Sequence, residues 1–252
     1  MKLLLSPAKS LNETSDFPTL LYSEPDFLAD SKKIHRVIKK LKPAQLADLM
    51  DISPKLAELN WQRNQEWHTP FDLTNARPAI FTFDGDVYDG LQAASLKESA
   101  YEQLNNQVRI LSGLYGLIKP FDLMQPYRLE MGTSLAVGAS VNLYQFWKKT
   151  ITKSLAASLQ NEEAIVNLAS QEYAKAIDFK SIKNRIITID FKDLKEGQLK
   201  TIGFFAKRAR GMMVRYALDH QILEPEGLQL FDLENYRFDA SLSTQSNWVF
   251  TR

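Results

Sequence analysis

The 252-residue chain contains no cysteine. That absence excludes thiol catalysis, disulfide frameworks, cysteine-type zinc sites and cysteine-ligated iron–sulfur clusters. Histidine is scarce as well: His35, His68 and His220 stand far apart, without metal-ligand spacing. Long hydrophobic runs are missing. Leu3-Leu4-Leu5 is followed at once by Pro7, Lys9 and Asn12, short of the roughly 7–15 apolar residues of a secretory signal. No stretch approaches the ~20 apolar residues of a membrane span, so a cytoplasmic protein without membrane contact is expected. Gly-x-Ser-x-Gly, Gly-x-Gly-x-x-Gly and His-Glu-x-x-His are all absent, which removes support for the common hydrolase, dinucleotide-binding and zincin readings. There is no excess of charge either. Lys plus Arg is 31 against 30 for Asp plus Glu, a net +1, so only the distribution of charge can point to a partner.

What the chain does have is apolar mass, 44% of residues with 14 Phe, 9 Tyr and 4 Trp, enough to bury a substantial core. Glycine and proline are scattered, and neither a repeat nor a linker interrupts residues 1–252, so one domain is expected. Short β-branched or aromatic runs bounded by turn residues predict strands at 2–6, 79–83, 164–169, 185–191, 199–205 and 247–251. Amphipathic spacing predicts helices at 31–42, 143–159 and 207–223, and Ser170 is placed to cap another. Strands and helices interleave irregularly. The expectation is a mixed α/β (α+β) domain with a mixed sheet and surrounding helices, not a clean doubly wound sheet.

Two windows break the charge balance. Between Asp30 and Asp48 lie Lys32, Lys33, Arg36, Lys39, Lys40 and Lys42 with no acid; between Glu196 and Asp219 lie Lys200, Lys207, Arg208, Arg210 and Arg215 with no acid. At about 100° per residue, Lys207, Arg208, Arg210 and Arg215 share one side of a helix while Ala209, Met212, Met213 and Tyr216 share the other. Such faces are most often simply solvated. If they bind DNA, the contacts are to phosphates, steeply salt-dependent and blind to sequence.

Residues 43–67 supply a second candidate contact. Pro43 suits the first turn of one short helix, and Ser53-Pro54 is an N-cap followed by a proline that starts the next. The segment resembles the helix-hairpin-helix family, with Ile52, Pro54, Lys55 and Ala57 at matching positions and Asp51 and Ser53 in place of two glycines. In that family the hairpin N–H groups hold a DNA phosphate, which the resemblance assigns to Ser53, Pro54 and Lys55. An αα-corner with a purely structural role is the alternative.

A third candidate is a pocket. Ser6-Pro7-Ala8-Lys9-Ser10 follows the first strand, where α/β proteins place ligand groups. The Gly- and Pro-broken stretch 111–132 reads as a binding loop presenting Tyr115, Arg128 and other polar residues. Asp84, Asp86 and Asp89 suggest a metal loop, but the spacing misses the EF-hand pattern. Neither a metal nor a cofactor is expected. Ser6, Lys9, Tyr115 and Arg128, with Lys207, are thus candidate residues of an enzyme pocket for a phosphorylated or nucleotide-like substrate.

Ser-Pro-Ala-Lys-Ser-Leu at the N-terminus, Gly85-Asp86-Val87-Tyr88 with Gly90-Leu91, the 111–132 block, Asn167-Leu168-Ala169-Ser170-x-Glu172-Tyr173 and Phe205-Ala206-Lys207-x-Ala209-Arg210-Gly211 together resemble the YaaA (UPF0246) family over essentially the whole chain. The resemblance implies a bacterial cytoplasmic protein of the peroxide-stress response, linked to limiting free iron and so iron-dependent damage to DNA. It also implies DNA binding through a positively charged cleft and a helix-hairpin-helix element. With no cysteine, His pair or Glu-x-x-His, direct iron storage is poorly supported. The reading taken forward is a monomeric DNA-binding protein, with Lys207, Arg208, Arg210 and Arg215 as phosphate contacts and Ser53, Pro54 and Lys55 as the hairpin contact. The rivals are the pocket enzyme and a stress-linked interaction protein without chemistry.

Overall fold

A computed structural model describes residues 1–252. Five central strands are all parallel, in the order β12 (Asn247–Thr251), β9 (Ile186–Lys195), β8 (Ile165–Asn167), β1 (Lys2–Leu5), β5 (Val108–Ser112). Strands β11 (Arg237–Phe238) and β6 (Gly116–Ile118) close the two edges antiparallel, and β10 (Gln198–Lys200) forms a hairpin on β9. Leu3, Leu4, Leu5, Ile110, Leu111, Ile165 and Val166 are completely buried. Such unbroken apolar runs fit strands covered on both faces, which parallel sheets require. The fold is therefore mixed α/β as expected, with a more regular parallel centre than the irregular interleaving suggested.

Four short strands lie off this sheet: β2 (Ser10–Leu11) pairs β4 (Phe83–Asp84), and β3 (Arg77–Pro78) pairs β7 (Leu123–Met124). Helices α1 (Leu28–Ile38), α2 (Pro43–Met50), α3 (Pro54–Glu66), α4 (Ala79–Thr82), α5 (Asp86–Leu91) and α6 (Tyr101–Gln107) all fall between β1 and β5; α7 (Leu143–Ala157), α8 (Gln171–Ala174) and α9 (Gly203–Asp219) follow. The chain leaves β1 for β5 on one side and later fills β8, β9 and β12 on the other. The carboxyl ends of β1 and β8 thus flank the point where the winding reverses.

Two strand expectations are overturned. Residues 79–82 form a buried helical turn between two-residue strands, because a four-residue apolar run carries no period that separates helix from strand. Residues 203–205 open α9, and only Gln198–Lys200 is extended. The aromatic pair Phe204-Phe205, read as strand, stays half exposed on the first turn of that helix. The stretch 111–132 is also not a displayed loop. It contributes β6 and β7, and Tyr115, Asp122, Gln125 and Tyr127 are buried.

Helices α2 and α3 are joined by three residues, Asp51–Ser53. Asp51 takes the left-handed backbone (φ 49°) that ends α2, and the Ser53 hydroxyl accepts the Leu56 N–H. The pair carries its own small core of Leu46, Met50 and Ala57, separate from the main one. It is tied to α1 by the His35 Nε2 contact to the Asn64 carbonyl (2.8 Å) and by reciprocal Lys39–Gln65 bonds.

Candidate functional site

At the winding reversal four segments enclose a cavity of about 310 Å³: the loop 6–10 after β1, the β4–α5 junction, residues 170–173 after β8, and one flank of α9. Each wall is fixed by its own chemistry. The loop 6–10 is held between β1 and the β2–β4 ladder. Ser6 Oγ accepts the Ser170 N–H (2.9 Å) and donates to Ser170 Oγ (3.3 Å), which clamps the ends of β1 and β8 together. Tyr88 on α5 donates to the Ser6 carbonyl (3.0 Å). The crevice beyond the carboxyl ends of parallel strands at such a switch point is where open α/β sheets bind ligands.

Helix α9 reaches the cavity because it lies almost on the backbone of α5. A Cβ on Gly211 would stand 1.7 Å from the Val87 carbonyl oxygen, and one on Gly90 would stand 2.2 Å from the Arg208 carbonyl oxygen. Only glycine permits that approach at both positions. The crossing brings Lys207 and Arg210 to the wall opposite Lys9.

The electrostatics are mixed. Lys207 Nζ lies 4.0 Å from Asp86, and Lys9 Nζ lies 3.1 Å from Glu130, which Arg128 also contacts at 3.1 Å. Arg210 differs: its Nε is buried with no hydrogen-bond partner. Burial holds the Arg210 guanidinium below its usual range, offset by Asp190 on β9. Asp84, Asp86 and Glu172 add negative charge to the lining. Burial pushes the Tyr88 and Tyr173 hydroxyls well up, so both stay protonated donors. No trio of His, Asp or Glu side chains comes together as a metal set.

The sequence candidates divide. Ser6, Lys9, Lys207 and Arg210 meet in this cavity, although they came from two rival readings. Arg128 stands behind the wall and touches Lys9 only through their shared partner Glu130. Tyr115 is fully buried elsewhere: its hydroxyl takes the Trp67 Nε1–H (2.9 Å) and the Gln125 N–H (3.0 Å) and donates to the Gln125 carbonyl (3.1 Å). Arg208 pairs with Glu234 at 2.9 Å, and Arg215 with Asp219 at 2.7 Å, so neither lines the cavity. The basic side of α9 is thus two cavity cations plus two neutralised surface pairs. No side-chain base bonds to Ser6 Oγ; both of its contacts are with Ser170.

Ser53, Pro54 and Lys55 are exposed on the tip of the α2–α3 hairpin. On the same three-helix unit, Lys32 and Arg36 of α1 and Lys39 and Lys40 just past its end face Trp67, His68 and Thr69 across an open groove of about 480 Å³ that no acid lines. His35 underlies it, buried and packed against Trp67 with ring centroids 4.3 Å apart and the planes tilted by 35°; burial lowers its pKa, partly offset by the Asn64 carbonyl, and Lys39 lowers it further.

Sequence reasoning did not assign Asp84, Tyr88, Glu172 and Tyr173 to the pocket. The signal was present, since Tyr88, Glu172 and Tyr173 fall inside the segments that carried the family resemblance. Four of those five segments converge on this cavity, and the fifth, 111–132, supports its wall through Glu130, which pairs with Lys9, and through the Gly132 N–H, which donates to Glu172 (3.0 Å).

Comparison with known proteins agrees with the resemblance. A family model described as "Peroxide stress protein YaaA" matches residues 1–242. A UPF0246 protein of Flavobacterium johnsoniae is 56% identical over 252 residues, covering all of both chains. UPF0246 proteins of Neisseria gonorrhoeae and Aliivibrio fischeri are 50% and 48% identical, each covering all of this chain and 98% of the relative. No helix is long and apolar enough to cross a membrane.

Proposed function

Because the chain belongs to the YaaA (UPF0246) family of peroxide stress proteins, we propose that it is a cytoplasmic, monomeric DNA-binding protein of the peroxide-stress response. It contacts the phosphate backbone and so limits iron-dependent damage to DNA. The observation that carries this reading is the outboard three-helix unit. It presents the exposed Ser53-Pro54-Lys55 tip at the N-terminal end of α3 and, about 20 Å of helix away, the acid-free α1 groove. A helix N-terminus with a lysine beside it suits one phosphate, and the α1 cations suit others along the same duplex.

The test is fluorescence anisotropy with a labelled duplex across a salt series. Log K should fall with log salt at a slope of several units. Arg36→Glu and Lys55→Glu should each weaken binding alike on unrelated sequences and lower the slope by about 1. Both residues are exposed, so their replacement leaves the fold intact. Absence of binding at low salt, or affinity untouched by both reversals, overturns the proposal.

A further inference from the structure

The switch-point cavity is not shaped for a duplex backbone. Its volume of about 310 Å³ matches a ligand of a single nucleotide, not a stretch of polymer. It is also not a plain anion site. Lys9, Lys207 and Arg210 favour a phosphate, but Asp84, Asp86 and Glu172 line the same cavity and would repel a second anionic end. The acids call for a ligand that also carries hydrogen-bond donors, such as sugar hydroxyls and exocyclic amines. The ring of Tyr173 adds an apolar wall of the kind on which a base packs. The Nε–H of Arg210 is buried and unused, a donor whose desolvation no group of the protein offsets with a hydrogen bond.

From this we infer that the cavity between the β1 and β8 ends and α9 is a binding site for one nucleoside monophosphate unit, its phosphate on Lys9, Lys207 and Arg210 and its sugar and base toward the acids and Tyr173. Two sources present that unit: a free mononucleotide, or a nucleotide turned out of a DNA strand, which is how proteins that read a single base in DNA reach it. Only the second source rests on the DNA-binding reading above.

Calorimetry on the full chain with the four deoxynucleoside monophosphates, ribose 5-phosphate and inorganic phosphate tests the first source. At least one nucleotide should bind about tenfold or more tighter than either smaller ligand. Lys9→Ala and Lys207→Ala should each weaken it by about tenfold, the worth of a lost charged hydrogen bond. Both side chains are more than half exposed, at 63% and 58%, so folding survives, which circular dichroism checks. Anisotropy with a paired duplex and the same duplex carrying one unpaired nucleotide tests the second source. There the unpaired form should bind tighter, with the advantage lost in Lys207→Ala and kept in Lys55→Glu. Ribose 5-phosphate or phosphate binding as tightly as every nucleotide overturns the inference. So does nucleotide binding indifferent to both lysines, and so does no nucleotide binding together with no preference for the unpaired duplex. If nucleotides bind but no duplex does, the DNA reading falls and this one stands.

Discussion

The α5–α9 crossing should fail on addition of a single methyl group. In Gly211→Ala the new Cβ would stand 1.7 Å from the Val87 carbonyl oxygen and 2.9 Å from the Leu91 nitrogen. Carbon–oxygen contacts settle near 3.3 Å, so the two helices would have to part by roughly 1.5 Å. The obstacle is backbone on a packed helix, which no side-chain rotation relieves. Overpacking of this kind costs about 1–3 kcal/mol or more, against about 1 kcal/mol gained from replacing a mid-helix glycine with alanine. A 1.7 Å contact with backbone puts this case at the upper end, so the net expectation is a loss of about 2 kcal/mol, which for a domain of this size lowers Tm by about 4–8 °C. Gly203→Ala is the control: it sits at the start of the same helix with nothing within 4 Å of its Cβ, so its melting temperature should equal or exceed the parent's. Thermal melts by circular dichroism, with urea titrations beside them, read both. A Gly211→Ala protein as stable as the parent would show that the crossing yields without cost and would refute the reasoning. Where the variant is still folded, Lys207 and Arg210 should sit farther from Lys9, so any ligand bridging the cavity should bind more weakly.

Burial raises the Asp122 carboxyl to about 6, opposed by bonds from Ser23 (2.6 Å) and the Lys119 N–H (2.8 Å). A folded pKa above the unfolded one means that stability is lost as pH rises from about 4 through about 6, by up to roughly 3 kcal/mol. The difference in unfolding free energy between the parent and Asp122→Asn should therefore shift against the parent over that range, and a difference constant with pH would contradict it. Tyr115→Phe leaves the Trp67 and Gln125 N–H groups without an acceptor. It should cost about 1–3 kcal/mol in urea unfolding while nucleotide and DNA affinities stay unchanged; a binding defect in a folded variant would return Tyr115 to the site. Asp51→Gly relieves a left-handed residue (φ 49°) and removes a negative charge from the hairpin tip. It should stabilise the chain by roughly 0.5–1 kcal/mol and tighten duplex binding at low salt; weaker binding would place the phosphate contact elsewhere.

Much of the fold was legible because its signals are local. Leu3-Leu4-Leu5 is apolar on both faces and becomes a central parallel strand, and Ser53-Pro54 starts α3 with the expected cap. The strand Val108–Ser112 was not legible: Arg109 breaks its apolar run, yet the residue is buried there with its guanidinium bonded to the Asn105 and Val108 carbonyls. Residues 79–82 and 203–205 were misread because short aromatic and β-branched runs state a preference for burial and not a geometry, and the neighbouring elements decide between helix and strand.

The site was half legible for a different reason. Ser6 and Lys9 could be singled out from their position after a strand, and Lys207 and Arg210 from their helical side. What could not be read is that these pairs meet, because their meeting depends on the reversal of winding at β1 and on the two glycines that let α9 lie on α5. The same crossing explains why one cationic helix face has two fates. The Arg208 and Arg215 side chains point past the α5 contact to Glu234 and Asp219, while Lys207 and Arg210 point into the cavity. A charge count along a helix cannot separate the two, since both lie within the same half-turn of the sequence period. Of the four α9 cations only Arg210 has a buried Nε with no hydrogen-bond partner, a desolvation cost that a bound anion would relieve, and the cavity's ligand chemistry follows from that group together with Lys9, Lys207 and the acids of the lining.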